Sequence, residues 1–371
     1  MEKCEIEVTE ESKIKMEAEE DSVQTLGKHL GKLLVILELA GIPITESRKG
    51  SRQGYLLDLF RKVCFPIFLH LSCLYLLYER ISKGGLNYGT VIDTLLPILP
   101  CIMWIMMRCQ NASLKLFLAD LSRITSSNFK SQNRSLSYTT NVAICFIFIY
   151  PLLLLAIRIL QENVVNVIEV FRILQEALFP NTMAIVYIAI CYLLLQKLRF
   201  CKKMFLKRLD LTCPTAVNMM KDYLNVTKCV ENFENLLCNI TFVILLHDLC
   251  IVTILLIDMF YIEDFMALIF YEALAEMLYV FFSLGIMAVC AGNVSLEISA
   301  IKSVLSEKMF TQLDQGDVTN NEKHINLLLR KDVCVLTVGK ALVFDRGFIL
   351  KALLAVLAEV IFISELSSFI R

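Results

Sequence analysis

Seven apolar runs, each near the length that crosses a lipid bilayer, dominate this chain of 371 residues. They lie at 63–78, 88–107, 141–160, 177–195, 240–260, 266–291 and 347–369. About 20 apolar residues in an α-helix cover a hydrocarbon core of roughly 30 Å. Barrel strands need about half that length and strict alternation, which these runs lack. The expected fold class is therefore all-α, a polytopic membrane protein with seven transmembrane helices. Composition agrees, with 57% hydrophobic and 20% charged residues and a mean hydropathy of +0.63. One soluble core of this size cannot bury so much apolar surface. A net charge of −1 leaves no basic footprint for nucleic acid.

Lysine and arginine orient such a bundle, because they collect on its cytoplasmic side. Counted from Arg48 through the eight segments that flank the runs, with Arg158 near the end of the third run assigned to the segment after it, they number 5, 2, 5, 2, 8, 0, 7 and 1. The alternation places the N-terminus in the cytoplasm and the C-terminus outside. This is opposite to a metabotropic seven-helix receptor, whose N-terminus is extracellular. Sequons at Asn111, Asn133, Asn225, Asn239 and Asn293 then fall on the inner side or at its border and are expected to stay unglycosylated. Fourteen cysteines occur, none in an outer loop, so free thiols are expected. No zinc-type spacing appears among them.

The chain divides accordingly. Residues 1–22 are acidic and read as a solvated, disordered cytoplasmic tail. Residues 23–62 hold an amphipathic interfacial segment, 63–291 the first six helices, 292–346 a cytoplasmic helical anchor, and 347–371 the last helix. In 197–237, Leu198, Phe205, Leu209, Met220, Tyr223, Leu224, Val230, Phe233 and Leu237 alternate with charge, and 295–333 repeats the theme. Helices five, six and seven are expected to extend into the cytoplasm and pack there as a base. Pro66, Pro97, Pro100 and Pro151 are expected to kink their helices.

Ionisable groups inside apolar runs are costly and mark function by default, although many only pair with a neighbour. Asp93 lies in the second run, Tyr150 midway along the third, Asn181 and Tyr187 in the fourth, and His247 and Asp248 in the fifth. Glu272 and Glu276 stand one turn apart on the sixth. With Trp104, Phe270, Tyr271 and Tyr279 they compose an aromatic pocket with polar anchors, suited to cationic or polyhydroxylated small molecules. No catalytic motif such as GxSxG, HExxH or a phosphate-binding loop occurs, and no enzyme activity, metal or cofactor is implied.

The stretch LTVGKALVFDRGFILKALLAVLAEVIFISEL resembles the C-terminal signature of the insect gustatory receptor family. In that family a glycine-containing turn and an Asp-Arg-like step lead into a last helix that ends in Thr-Tyr, five residues, then Gln-Phe. With Gly339, Asp345 and Arg346 set on this frame, Ala358-Glu359 stand at the first pair and Glu365-Leu366 at the second, with the spacing kept and the letters changed. LELAGIPIT, ending at Thr45, resembles the approach to the family's first span. The family is related to the insect odorant receptors. The resemblance implies a ligand-gated, nonselective cation channel in the plasma membrane of sensory neurons. It implies a homo- or hetero-tetramer of related subunits in membrane lipid, opened by a small-molecule tastant bound among helices two to six. It also implies a pore lined by the last helix at Glu359, Phe362, Glu365 and Leu366, which helical spacing sets on adjoining stripes. An apolar ring of Phe362 and Leu366 would gate by dewetting, and a Glu365 ring would favour cations. An odorant receptor subunit and a metabotropic receptor are the alternatives; a secondary transporter would show internal repeats, which are not evident.

Orientation is directly testable. Epitope tags at the two ends, probed on intact and permeabilised cells, should show the N-terminal tag only after permeabilisation and the C-terminal tag on intact cells.

Overall fold

Helix length is what most shapes the architecture. The computed structural model describes residues 31–44, 52–83, 88–126, 141–142, 145, 149–157, 170, 173–208, 215–261, 268–313, 328–345 and 347–370. In chain order these form α1 (31–39), α2 (Arg52–Lys83), α3 (Tyr88–Leu95), α4 (Ile98–Cys109), α5 (Asn111–Ser126) and α6 (149–157). A π-turn (Leu174–Leu178), α7 (Phe179–Arg208), α8 (Thr215–Tyr261) and α9 (Leu268–Leu313) follow. The strands β1 (Thr337–Val338) and β2 (Leu342–Val343) then precede α10 (Phe348–Ile370). The acidic tail read at 1–22 lies outside the described residues.

α8 has 47 residues and α9 has 46. At about 1.5 Å per residue each reaches about 70 Å, more than twice a hydrocarbon core of roughly 30 Å. In α8 the surplus is charged: Lys221, Asp222, Lys228, Glu231 and Glu234 precede the apolar run that begins at Ile240. Among the described residues, three stretches are long and apolar enough to cross a membrane, Leu174–Lys207, Ala216–Ile257 and Phe270–Thr311. Val63–Glu79 and Ile98–Cys109 are shorter apolar helices.

The extensions pack into a base through the stripe read from the sequence. Phe205 meets Tyr223 edge-on with centroids 5.8 Å apart, and Phe233 lies 5.9 Å from Phe117 of α5 and 5.0 Å from Tyr187. Val226, Val230 and Leu237 are buried on the same side. Leu224 is exposed, because one residue of about 100° rotation carries it away from the face that Tyr223 buries. Lys202 pairs with Glu297 at 3.2 Å and Lys331 with Glu231 at 2.6 Å, tying α7 to α9 and the chain after α9 to α8.

Three expectations are corrected. The extended helices are the fourth, fifth and sixth (α7, α8 and α9), not the fifth to seventh, since the last helix is approached through a hairpin and not a helical extension. The anchor segment is therefore not wholly helical. The second run is not continuous: it divides at Leu96-Pro97 into α3 and α4. Proline lacks the N–H that would continue the ladder to the carbonyl four residues earlier, so α3 ends before it. Gln175 in the π-turn reaches across and donates from Nε2 to the Pro97 carbonyl at 2.8 Å.

Both stretches that carried the family resemblance are chain reversals. α1 ends in a Schellman motif, with Ile42 N–H donating to Leu37 O and Gly41 N–H to Glu38 O, both at 3.0 Å. Gly41 takes φ +80, and Pro43 prevents continuation. Leu37 and Ile42 are buried together in the main core. The Trp104 indole of α4 donates to the Ala40 carbonyl at 2.9 Å and so clamps this turn.

The second reversal is the β1–β2 hairpin, which lies along one face of α8. Thr337 donates from its backbone N–H and its hydroxyl to the Glu234 carboxylate. Gly339 N–H donates to the Cys238 carbonyl at 2.9 Å. Gly339 takes φ +60, and a Cβ there would lie 3.1 Å from the Phe242 ring. Glu234, Cys238 and Phe242 are spaced by four residues, so they form one stripe on the helix. Gly339→Ala should therefore destabilise the chain: the left-handed backbone alone costs about 1–2 kcal/mol for a residue with Cβ, and the ring contact adds to it. Thermal unfolding of the purified full-length protein in detergent checks this, with a lower midpoint than wild type expected.

Candidate functional site

The π-turn, α6, α7, α8 and α9 enclose a cavity of about 60 Å³. Tyr150 and Leu154 enter from α6, and Ile173, Glu176 and Ala177 from the π-turn and its approach. Asn181 comes from α7, and His247, Asp248 and Ile251 from α8. Glu272, Glu276, Tyr279 and Val280 complete the lining from α9. The spacing explains these sets. Residues 272, 276, 279 and 280 share one helical face, and 247, 248 and 251 share another.

A π-turn adds a residue to one helical turn, is rare, and often marks functional sites. Here it carries Glu176 to the cavity while Gln175 bonds back to the broken second run. The rings of Tyr150 and Tyr279 lie parallel, 3.7 Å between centroids and 6° between planes. His247 Nδ1 is 3.1 Å from Asp248 Oδ1, and both residues are buried. Among the described residues, Nε2 of His247 is buried without a hydrogen-bond partner. No three His, Cys, Asp or Glu groups among the described residues converge closely enough to hold a metal.

Of the pocket residues expected from the sequence, Tyr150, Asn181, His247, Asp248, Glu272, Glu276 and Tyr279 meet here. Others do not. Trp104 is engaged with the Ala40 carbonyl and edge-on to His70 at 5.4 Å. Tyr187 is buried between Phe233 and Phe344 at the top of the base. Tyr271 is half exposed, one residue round the helix from Glu272, and packs edge-on to Phe270. The side chain of Asp93 lies outside the described residues. Glu176 was not singled out, because it lies just before the fourth apolar run and nothing in that stretch signals the π-turn.

Among the described side chains of the last helix, the buried ones lie in its N-terminal half. Phe348 and Val356 are buried, and Phe348 packs edge-on to Phe344 at 4.9 Å. Lys351 donates to the Asp345 carboxylate at 3.0 Å, which holds that carboxyl below its ordinary pKa, helped by the Gly347 and Phe348 amides. Elsewhere on this helix Leu350, Leu354, Leu357, Ile361 and Phe362 are exposed in the single chain, Phe362 at 63%. Glu365 is exposed as well. The side chains of Glu359 and Leu366 lie outside the described residues. A larger cleft of about 410 Å³ opens in the base between α5, α7 and α8, with Asp120, Arg123, Lys197 and Asp222 on its walls.

No family model matches the chain. No curated protein matches it either. Solved structures do. The insect olfactory receptor OR5 from Machilis hrabei superposes with a TM-score of 0.70 at 10% identity, over 92% of this chain and 98% of that one. The same receptor in complex with eugenol superposes with a TM-score of 0.70 at 10% identity, over 93% of this chain and all of that one. The chain has the fold of an insect olfactory receptor. The superposition covers more than nine-tenths of this chain and of the receptor.

Stacking in the cavity has a measurable energy. A double-mutant cycle of Tyr150→Ala and Tyr279→Ala, read from thermal unfolding of the purified chain, should give a coupling of about 0.5–1.5 kcal/mol, the usual range for an aromatic pair beyond its buried area.

Proposed function

We propose that this chain is a chemosensory receptor of the gustatory type, a multi-pass protein of the sensory-neuron plasma membrane. It acts as a ligand-gated, nonselective cation channel. A small-molecule tastant binds in the cavity between α6 and α9. Four copies, identical or related, surround a pore lined by α10.

The observation that carries this reading is the last helix. Its 23 residues reach about 35 Å at about 1.5 Å per residue, enough to cross the membrane. Yet among its described side chains only Phe348 and Val356 are buried, and a flank of leucine, isoleucine and phenylalanine is open. In a chain with the olfactory-receptor fold, that flank suits neighbouring subunits and lipid. Phe362 then supplies the apolar constriction and Glu365 the carboxylate ring of a cation path, with Glu359 and Leu366 on the adjoining stripes. With the N-terminus inside, the cavity lies in the outer half of the bundle, where external ligands arrive.

An odorant receptor subunit is the second reading, favoured by the likeness to OR5 from Machilis hrabei. The gustatory reading rests on the spacing from Gly339 to Leu366. Currents evoked by panels of soluble tastants and of volatiles, recorded from cells expressing the chain alone or with a related subunit, separate the two.

The pore assignment has its own test. Glu365→Gln should lower the permeability of divalent relative to monovalent cations, and Phe362→Ala should raise current in the absence of ligand, both read by patch clamp. Currents unchanged in both variants would remove α10 from the pore.

A further inference from the structure

The end of α7 beyond the fourth apolar run is strongly basic. Residues 197–208 contain six lysines and arginines and no carboxylate. Arg199, Lys203 and Lys207 are spaced by four residues and stand exposed on one stripe of the helix. Lys202 turns towards α9 and pairs with Glu297 at 3.2 Å. The three stripe residues make no such pair among the described residues. Phe200 and Leu206 beside them are exposed as well. Like charges four residues apart repel one another, so a stripe of this kind calls for an anionic partner.

Position along the helix narrows the partner. The fourth run ends at Leu195. At about 1.5 Å per residue, Arg199, Lys203 and Lys207 lie about 6, 12 and 18 Å beyond it along the axis. A headgroup layer is only about 5–8 Å thick. Lipid phosphates therefore reach the top of the stripe, while an anionic polypeptide can follow its whole length. The cleft of about 410 Å³ opens next to the stripe, with Phe200, Met204, Met219 and Val226 in its lining. A partner that suits both features offers carboxylates and apolar side chains together.

The chain itself contains such a segment. Residues 1–21 hold nine carboxylates against three lysines, interleaved with Ile6, Val8, Ile14 and Met16. Four apolar runs separate this segment from the stripe, an even number, so the two share one side of the membrane whichever way the bundle points. Reach is ample. The 30 residues before α1 extend to about 100 Å at about 3.3 Å each, further than the length of α8.

We infer that the acidic N-terminal segment, residues 1–21, docks along the Arg199–Lys203–Lys207 stripe of α7. Its carboxylates face the three cations, and its apolar side chains cover Phe200 and Leu206 and enter the adjoining cleft. A single exposed ion pair contributes little, so the contact depends on several charges acting together and weakens as salt is added.

The test is zero-length carbodiimide crosslinking of the purified full-length chain in phosphatidylcholine nanodiscs, read by peptide mass spectrometry. At about 0.1 M salt, where the Debye length is about 10 Å, carboxylates of residues 1–21 should join to Lys203 and Lys207. The yield there should exceed that at the exposed Lys340 by at least about fivefold. Arg199→Glu, which leaves both lysines in place, should cut the yield about fivefold, and Arg199→Lys should keep it. Salt at about 1 M, where the Debye length falls to about 3 Å, should cut it similarly. This salt dependence, measured on the unaltered chain, decides the matter should Arg199→Glu fold poorly. Nanodiscs that contain phosphatidylserine should give the same yield as those without it. Loss of the crosslinks there assigns the stripe to anionic headgroups and overturns the inference. Crosslinks spread evenly over exposed lysines, or unchanged at high salt, overturn it as well.

Discussion

Peptide groups cannot be left unpaired in hydrocarbon, and this requirement governs the chain from its second helix onward. Among the described residues the apolar segments close their hydrogen bonds as helices. Where the ladder breaks, at Pro97, a side chain from another helix bonds to the junction: Gln175 Nε2 donates to the Pro97 carbonyl. That bond is made from a π-turn, so it ties two local irregularities together, and the cavity lies beside the π-turn. The site is thus built where regular helix is interrupted but the interruption is sealed by protein.

The same requirement leaves the space outside the membrane free for a different kind of packing. The extensions of α7, α8 and α9 bury an aromatic stripe that includes Phe205, Tyr223 and Phe233, flanked by ion pairs that each contribute little, about 0–1 kcal/mol. Hydrophobic burial drives association here, in contact with water, far more than between spans that already lie in lipid. Helices of 46 and 47 residues therefore serve two solvents in succession.

Much of this was legible because it repeats. The runs of 20 residues, the 3.6-residue stripe from Leu198 to Leu237 and the pairing of Glu272 with Glu276 all follow from periodicity. The two turn motifs were legible because glycine at Gly41 and Gly339 does what residues with a Cβ do poorly. What stayed hidden depended on partners far along the chain. Trp104 has the look of a pocket aromatic until Ala40, 64 residues earlier, is placed against its indole. Tyr187 lies six residues past the cavity-lining Asn181, about 9 Å along the helix axis, and packs against Phe233 and Phe344 instead. The hairpin escaped because its two strands of two residues each are defined by contacts with Glu234 and Cys238, not by their own alternation. Glu176 escaped because a π-turn has no periodic signature.

α8 bears His247 and Asp248 at the cavity and Glu234, Cys238 and Phe242 at the hairpin, with no break in the helix between them. Five residues separate Phe242 from His247, about 7.5 Å along the axis at about 1.5 Å per residue. A helix bends or rolls far more readily than it stretches. Any roll of this rod that widens the chamber at one end therefore swings the foot of α10 at the other, and no separate linkage has to be supplied.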